Sequence, residues 1–178
     1  ELAGIPYVGA GVTASAVGMD KALFKDILSA HNLPIVPHRV VKRKIWEQKP
    51  GEIVAQIEAE IGYDCFVKPA NLGSSVGISK AHNRAELQAA LDEAARYDRK
   101  MIVEVAIDAR EIEVSVLGND EPIASVPGEI VPCNEFYYYA AKYLDGESEL
   151  LVPAPIPDHT SELIRQLAVK AYLAIDCA

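Results

Sequence analysis

Several things are scarce in this sequence, and each scarcity closes a class. Cysteine is limited to Cys65, Cys133 and Cys177 in 178 residues. An odd count with no C-x-x-C spacing excludes a disulfide framework and a zinc ribbon, and fits a reducing, cytoplasmic setting. No apolar run approaches the roughly 20 residues that cross a bilayer. Basic residues are outnumbered, 17 Lys and Arg against 26 Asp and Glu, for a net charge of -9. No basic patch dominates, which argues against nucleic acid and anionic membranes as partners. The four histidines (His31, His38, His82 and His159) are scattered, without the clustering of a metal site. The G-x-x-x-x-G-K-[ST] phosphate loop, internal repeats and low-complexity tracts are all missing. No signal-peptide pattern is present, and the chain begins at Glu1 rather than Met.

What is present is ordinary globular material, half hydrophobic and 24% charged. The length suits one domain with its own core. Residues 5–8 read as a short extended segment or strand. Residues 20–31 read as a helix capped by Asp20, with Leu23, Phe24, Ile27 and Leu28 on one stripe. Residues 35–41 are strand-like, and a helix over 52–61 is stopped by Gly62. Residues 65–68 form a strand, 71–77 a Gly/Ser loop, and 76–80 another strand. Asn83 followed by Glu86 is a capping box opening a helix with Leu87, Ala90, Leu91 and Ala94 on one face. Residues 101–105 read as a strand. Residues 111–117 and 122–126 flank the turn Gly118-Asn119-Asp120 as a hairpin. Residues 127–148 look irregular. Asp158 caps a last helix with the stripe Leu163, Leu167, Ala171, Tyr172 and Ile175. Helices mixed with hairpins predict an α+β fold.

Gly9-Ala10-Gly11-Val12-Thr13-Ala14 matches G-x-G-x-x-A. Gly18 interrupts the helix that a dinucleotide fingerprint requires, and no acidic strand end lies about 20 residues on. A surface turn is the expectation here.

Phe66-Val67-Lys68-Pro69-Ala70-Asn71-Leu72-Gly73-Ser74-Ser75-Val76-Gly77 carries more. A lysine ends an apolar strand and a loop of glycines and serines follows. Glycines admit close approach of an anion, backbone N–H groups and hydroxyls donate to it, and the lysine supplies charge. At an effective dielectric near 20, one charge pair at about 4 Å is worth roughly 4 kcal/mol. An exposed lysine on a Gly-rich hairpin is the plainer alternative. Glu104 ends the strand over 101–105 and Glu111 opens the next; carboxylates there can accept from a base amine or ribose hydroxyl. Phe136-Tyr137-Tyr138-Tyr139-Ala140-Ala141-Lys142-Tyr143-Leu144 has neither helical nor strand periodicity, which suits a functional loop or tyrosines that anchor one.

In this order, over essentially the whole chain, these residues resemble the D-alanine–D-alanine ligases of the ATP-grasp superfamily. Ala16-Val17-Gly18-Met19-Asp20-Lys21 looks like the family's entry to the ATP-grasp region. The Val67-Lys68-Pro69 strand end, the Gly73-Ser74-Ser75-Val76-Gly77 loop and the Tyr137–Tyr143 segment look like its strand lysine, phosphate loop and covering loop. The resemblance implies an ATP-grasp fold with the tail of a preceding domain over 1–18, a lid subdomain over 19–108 and the start of a C-terminal core over 109–178. It implies that ATP phosphorylates one D-alanine, that a second attacks the acyl phosphate, and that the dipeptide feeds peptidoglycan synthesis. By resemblance, Lys21 and Lys68 meet the ATP phosphates. Ser74 and Ser75 lie over them, with Ser74 placing substrate in partnership with Tyr143. Glu104, Val105 and Ile107 belong to the adenine hinge, and Glu111 meets the ribose. Lys142 sits near the transferring phosphate, with Tyr137 in the same lid. Relatives that use D-lactate commonly carry His at the position of Tyr143. A neutral phenol tolerates a second ammonium where a charged imidazole would not, so Tyr143 favours dipeptide formation.

The family's N-terminal substrate-binding segment and its C-terminal Arg-x-Asp and Glu-x-Asn segments are not in this sequence. The expectation is therefore a fragment of a larger enzyme, with the Mg²⁺ or Mn²⁺ ligands beyond residue 178. Alone it should be inactive and bind ATP weakly. The full-length enzyme is expected to be a cytoplasmic homodimer. Two alternatives stay open: another ATP-grasp carboxylate–amine ligase, and a non-catalytic nucleotide-binding module.

Overall fold

A computed structural model describes residues 3–131 and 149–177. The chain opens with helices α1 (Val12–Met19) and α2 (Lys21–Ala30). Asp20 starts α2 as its sequence position suggests, its Oδ1 accepting the Ala22 N–H at 3.1 Å. Residues 5–8 make no strand; Ile5, Tyr7 and Val8 are exposed. Apolar and β-branched residues favour a strand only where a neighbouring strand and a core receive them. The G-x-G-x-x-A stretch, expected as a turn, instead leads into α1, which keeps Gly18 one residue from its end. A glycine so placed costs a helix little.

The residues fall into two units: Met19–Ala22 with Ile35–Asp108, and Glu1–Gly18, Leu23–Pro34 and Ala109–Ala178. The first is built on β1 (His38–Lys42), α3 (Arg43–Gln48), α4 (Pro50–Glu60), β2 (Cys65–Pro69), β3 (Ser79–Ala81), α5 (Arg84–Tyr97) and β4 (Lys100–Val105). Its strands form an antiparallel sheet in the order β1-β4-β2-β3. Side chains alternate across a strand. Val41, Val67 and Val103 point to one face and form the core with Trp46, Ile57 and Leu91 of the three helices. Trp46 satisfies its indole N–H on Asp92 Oδ1 at 2.8 Å. Phe66, Lys68 and Glu104 fall on the opposite face.

Helix ends follow local chemistry. Gly62, at φ +76°, closes α4 by donating its N–H to the Ile57 carbonyl at 3.0 Å. Asn83 Oδ1 accepts the Glu86 N–H at 3.0 Å, while the Glu86 carboxylate accepts the His82 N–H at 2.8 Å. The capping box thus closes one residue upstream of its usual partner. Helix α3 was not foreseen, because six residues are too few for an apolar period to show. β1 starts at His38, after Pro37, rather than at residue 35. β3 starts at Ser79 because the residues before it are spent in turns.

The other unit contains β5 (Glu111–Glu113), β6 (Val116–Leu117), β7 (Ile123–Ala124), β8 (Gly128–Val131), β9 (Glu149–Leu151) and α6 (Asp158–Ala174). β6 and β7 pair as the expected hairpin. β8 pairs with β5 and β9, so residues 128–131 are a strand within the stretch read as irregular. Arg110 grips Glu129 with two N–H groups, each 2.6 Å from a carboxylate oxygen, and reaches the Pro155 carbonyl at 3.2 Å. Asp158 is the first helical residue of α6 and Pro157 the cap, and no α6 residue is buried.

Candidate nucleotide-binding site

The face of the four-stranded sheet opposite the core carries Lys68, one residue before the end of β2. Lys68 Nζ lies 2.5 Å from Glu104 Oε2 and 5.5 Å from the centroid of the Phe66 ring. Glu104 is buried and Lys68 half-buried, so the carboxylate holds its cation at the mouth of the face. The ring beneath adds a cation–π contact.

Past Pro69 the chain is tied down before it turns. Ala70 donates its N–H to the Lys100 carbonyl at 2.9 Å and accepts the Lys21 N–H at 3.0 Å. The Lys21 ammonium donates to the carbonyls of Pro69 (3.2 Å), Ala70 (3.4 Å) and, more closely, Leu72. Asn71 donates from its backbone N–H and its side-chain amide to Asp98 Oδ2, both at 2.9 Å. Asp20, next to Lys21, is ion-paired with Lys100 with both side chains largely buried.

Two successive turns follow, closed by Val76 N–H to the Gly73 carbonyl (3.2 Å) and Ile78 N–H to the Ser75 carbonyl (3.3 Å). Ser74 and Ser75 sit at φ +51° and +58°, and Gly77 at +69°. Left-handed backbone at non-glycine residues costs on the order of 1–3 kcal/mol each, and such strain clusters at ligand clamps. A Cβ at Gly77 would lie 2.7 Å from Tyr97 Cδ2 and 2.9 Å from Pro69 Cγ. Glycine there lets the loop lie against the Tyr97 ring.

The electrostatics suit an anion. Burial, and after it the charge of Lys68, hold the Lys21 ammonium below the ordinary lysine value, against the pull of Glu104, Asp98 and Asp20. Two cations that repel each other beside a Gly/Ser loop, in a chain of net charge -9, gain from a polyanion between them. A nucleotide's phosphates therefore fit the residues present.

Of the residues singled out from sequence, Lys21, Lys68, Ser74, Ser75 and Glu104 gather in this one unit. Val105 donates its N–H to the Pro37 carbonyl at 3.1 Å, and Ile107 is exposed. Glu111 opens β5 in the other unit and is exposed. Tyr137, Lys142 and Tyr143 lie outside the described residues. Among the described residues no group of three or more His, Cys, Asp or Glu could hold a metal ion. Asn71, Asp98, Lys100 and Tyr97 were missed from sequence. Asn71 carried only a turn signal, and the Asp20–Lys100 pair spans 80 residues.

A lysine next to the end of its strand, the Gly/Ser loop that follows and a buried acid on the neighbouring antiparallel strand define an ATP-grasp type of fold. Residues 27–178 match the family described as D-ala D-ala ligase C-terminus, and the chain belongs to that family. It is 58% identical over 176 residues to a D-alanine–D-alanine ligase of Heliobacterium modesticaldum, covering 99% of this chain and 48% of the relative. Among solved structures it is similar to the VanG D-Ala:D-Ser ligase of Enterococcus faecalis, with a TM-score of 0.87 and 35% identity, covering 99% of this chain and 50% of that one. It is also similar to the D-alanine–D-alanine ligase of Coxiella burnetii, with a TM-score of 0.79 and 32% identity, covering 98% and 45%. The chain spans about half the length of the curated relatives it matches.

Proposed function

We propose that this chain is the nucleotide-holding part of a ligase that joins two D-alanines into D-alanyl-D-alanine for peptidoglycan synthesis. The observation that carries the reading is Lys68, held by Glu104 at the mouth of a sheet face beside two left-handed serines, in a chain of this family. Residues 19–108 serve as the lid subdomain, 109–178 as the start of the C-terminal core and 1–18 as the tail of a preceding domain.

When bound, ATP supplies the phosphoryl group that activates one D-alanine carboxylate toward the amine of the second. Lys21 and Lys68 meet the phosphates, Lys68 as a charge already oriented by Glu104. The Ser74 and Ser75 hydroxyls and the loop backbone donate to them. Glu104, Val105 and Ile107 border the base, and Glu111 meets the ribose. Tyr137, Lys142 and Tyr143 close over the reactants and exclude water, with Ser74 and Tyr143 placing substrate. Positioning and electrostatic stabilisation account for what these groups do. Mg²⁺ or Mn²⁺ accompanies the nucleotide on ligands outside this chain. No helix among the described residues is long and apolar enough to cross a membrane; the reading places the enzyme in the cytoplasm, as a homodimer that binds small molecules.

The test is phosphate release and product mass from a full-length ligase carrying this chain, given ATP, Mg²⁺ and D-alanine, D-serine, D-lactate or L-amino acids. D-alanine should give the highest turnover and D-alanyl-D-alanine the main product. A preference for D-lactate near neutral pH overturns the Tyr143 argument, and turnover only with unrelated amino acids overturns the substrate assignment.

A further inference from the structure

We propose that Arg110 is the positioning residue of Glu111: its guanidinium, forked onto Glu129 and reaching the Pro155 carbonyl, fixes the register of β5 and with it the face on which the neighbouring carboxylate stands. For its bearing on the nucleotide the proposal rests on the reading above that Glu111 meets the ribose.

Strand β5 is only three residues long, and none of the three is buried. It pairs with β8 with Glu111 opposite Ile130, Ile112 opposite Glu129 and Glu113 opposite Gly128. A register is weakly specified where neither face of a strand is buried, and a slip of one residue would turn Glu111 to the other side of the sheet. Arg110, immediately before β5, supplies what packing lacks. Its Nε and Nη2 donate to the two Glu129 carboxylate oxygens, each at 2.6 Å, and Nη2 also reaches the Pro155 carbonyl at 3.2 Å. One guanidinium thus joins the start of β5, the strand β8 and the segment after β9. A forked pair of this kind sets geometry as well as charge. Glu129 is 8% exposed, and a buried carboxylate parted from its cation is costly, so a slipped register is penalised. The contact places Arg110 on the side of Ile112 and Glu129. Side chains alternate along a strand, which leaves Glu111 on the other side, with its backbone held by a residue that does not itself face the ligand.

The experiment uses a full-length ligase carrying this chain, with ATP and 2′-deoxy-ATP as paired nucleotides. In the unaltered enzyme, NMR should show the Arg110 Nε–H exchanging with water at least tenfold more slowly than that of Arg96, whose side chain is 74% exposed. Equal rates overturn the proposal without any variant having to fold. KM should be at least fivefold lower for ATP than for 2′-deoxy-ATP, and Glu111→Ala should abolish that difference. In Arg110→Met the difference should shrink below twofold, with KM for D-alanine within twofold of the unaltered value. Glu129→Gln should move it in the same direction and decides the matter where Arg110→Met does not fold. Arg110→Lys should behave as Arg110→Met, since it keeps the charge but not the fork. Discrimination retained in Arg110→Met, or full rescue by Lys, overturns the proposal. So does a KM for D-alanine that rises in step with that for ATP, which is the mark of a generally loosened unit. No discrimination in the unaltered ligase would instead sink the ribose reading, and this proposal with it.

Discussion

Lys68 and Glu104 meet diagonally across β2 and β4: Phe66 stands opposite Glu104 and Lys68 opposite Ile102 in the strand register, yet Nζ and Oε2 are 2.5 Å apart. The acid is the more buried partner, so the ammonium is the more accessible half of the pair.

Lys68→Ala strands the Glu104 carboxylate. The variant should lose about 1–3 kcal/mol of stability, below the full penalty for a broken buried pair because Lys68 is partly solvated. In a full-length ligase its kcat/KM for ATP should fall at least a hundredfold. Adding Glu104→Ala should return part of the stability and none of the ATP use. Denaturant unfolding of the single and double variants, alongside steady-state kinetics, separates the two effects. Unaltered turnover and ATP affinity in Lys68→Ala would sink the site assignment.

Ser74→Gly and Ser75→Gly relieve left-handed strain while removing hydroxyls. Each should leave stability unchanged or raise it by up to about 1 kcal/mol, the relief being offset by glycine's larger unfolded-state entropy. Nucleotide affinity should fall in both. A thermal melt with a titration of ATP reads both quantities, and a loss of stability by more than about 1 kcal/mol contradicts the strain argument.

Gly77→Ala places a methyl group against Tyr97 and forces an L side chain to φ +69°. A destabilisation of about 1–3 kcal/mol is expected. Gly77→Ala combined with Tyr97→Ala should recover the part of the cost that the ring imposes and keep the Pro69 and backbone parts. Additive costs in a double-mutant cycle would show that the ring and the glycine do not touch.

Asp98 gives the loop base an acid limit. Burial opposes its charge, but the Asn71 side chain and backbone, with the backbone N–H groups of Lys100 and Arg99, hold the carboxyl below the ordinary value of 3.8. The stabilisation is therefore complete above 3.8 and is lost as pH falls from there through the lower folded-state value. Asp98→Asn should cost about 0.5–1 kcal/mol at pH 7 once solvent screening is counted, and the gap to the unaltered chain should close below pH 3.8. Urea unfolding at a series of pH values checks this, and a gap that persists in acid refutes it.

Those parts of the fold and site that depend on near neighbours could be read from sequence. The lysine ending an apolar strand, the Gly/Ser loop after it, Asn83 with Glu86, and Gly62 all act within a few residues of themselves. Residues 5–8 misled because an apolar stretch says nothing about whether a strand lies beside it. Helix α3 and strands β8 and β9 are too short to carry a period. The ties at the loop base were hidden for another reason: Lys21 meets carbonyls about 50 residues on, and any residue type can supply a carbonyl. No pattern of side chains marks that acceptor.

The sheet has one further consequence. Val67 and Lys68 are adjacent, yet one lies in the core and the other, half-buried, on the opposite face, so parity along β2 decides which residue the nucleotide would meet. Deleting or inserting a single residue between Cys65 and Lys68 would exchange the two, sinking a charge into the core and presenting an isopropyl group in its place. A change of two residues would preserve the parity. The cation is thus placed by counting along the strand, and the chemistry of this face depends on strand pairing as firmly as on the identity of residue 68.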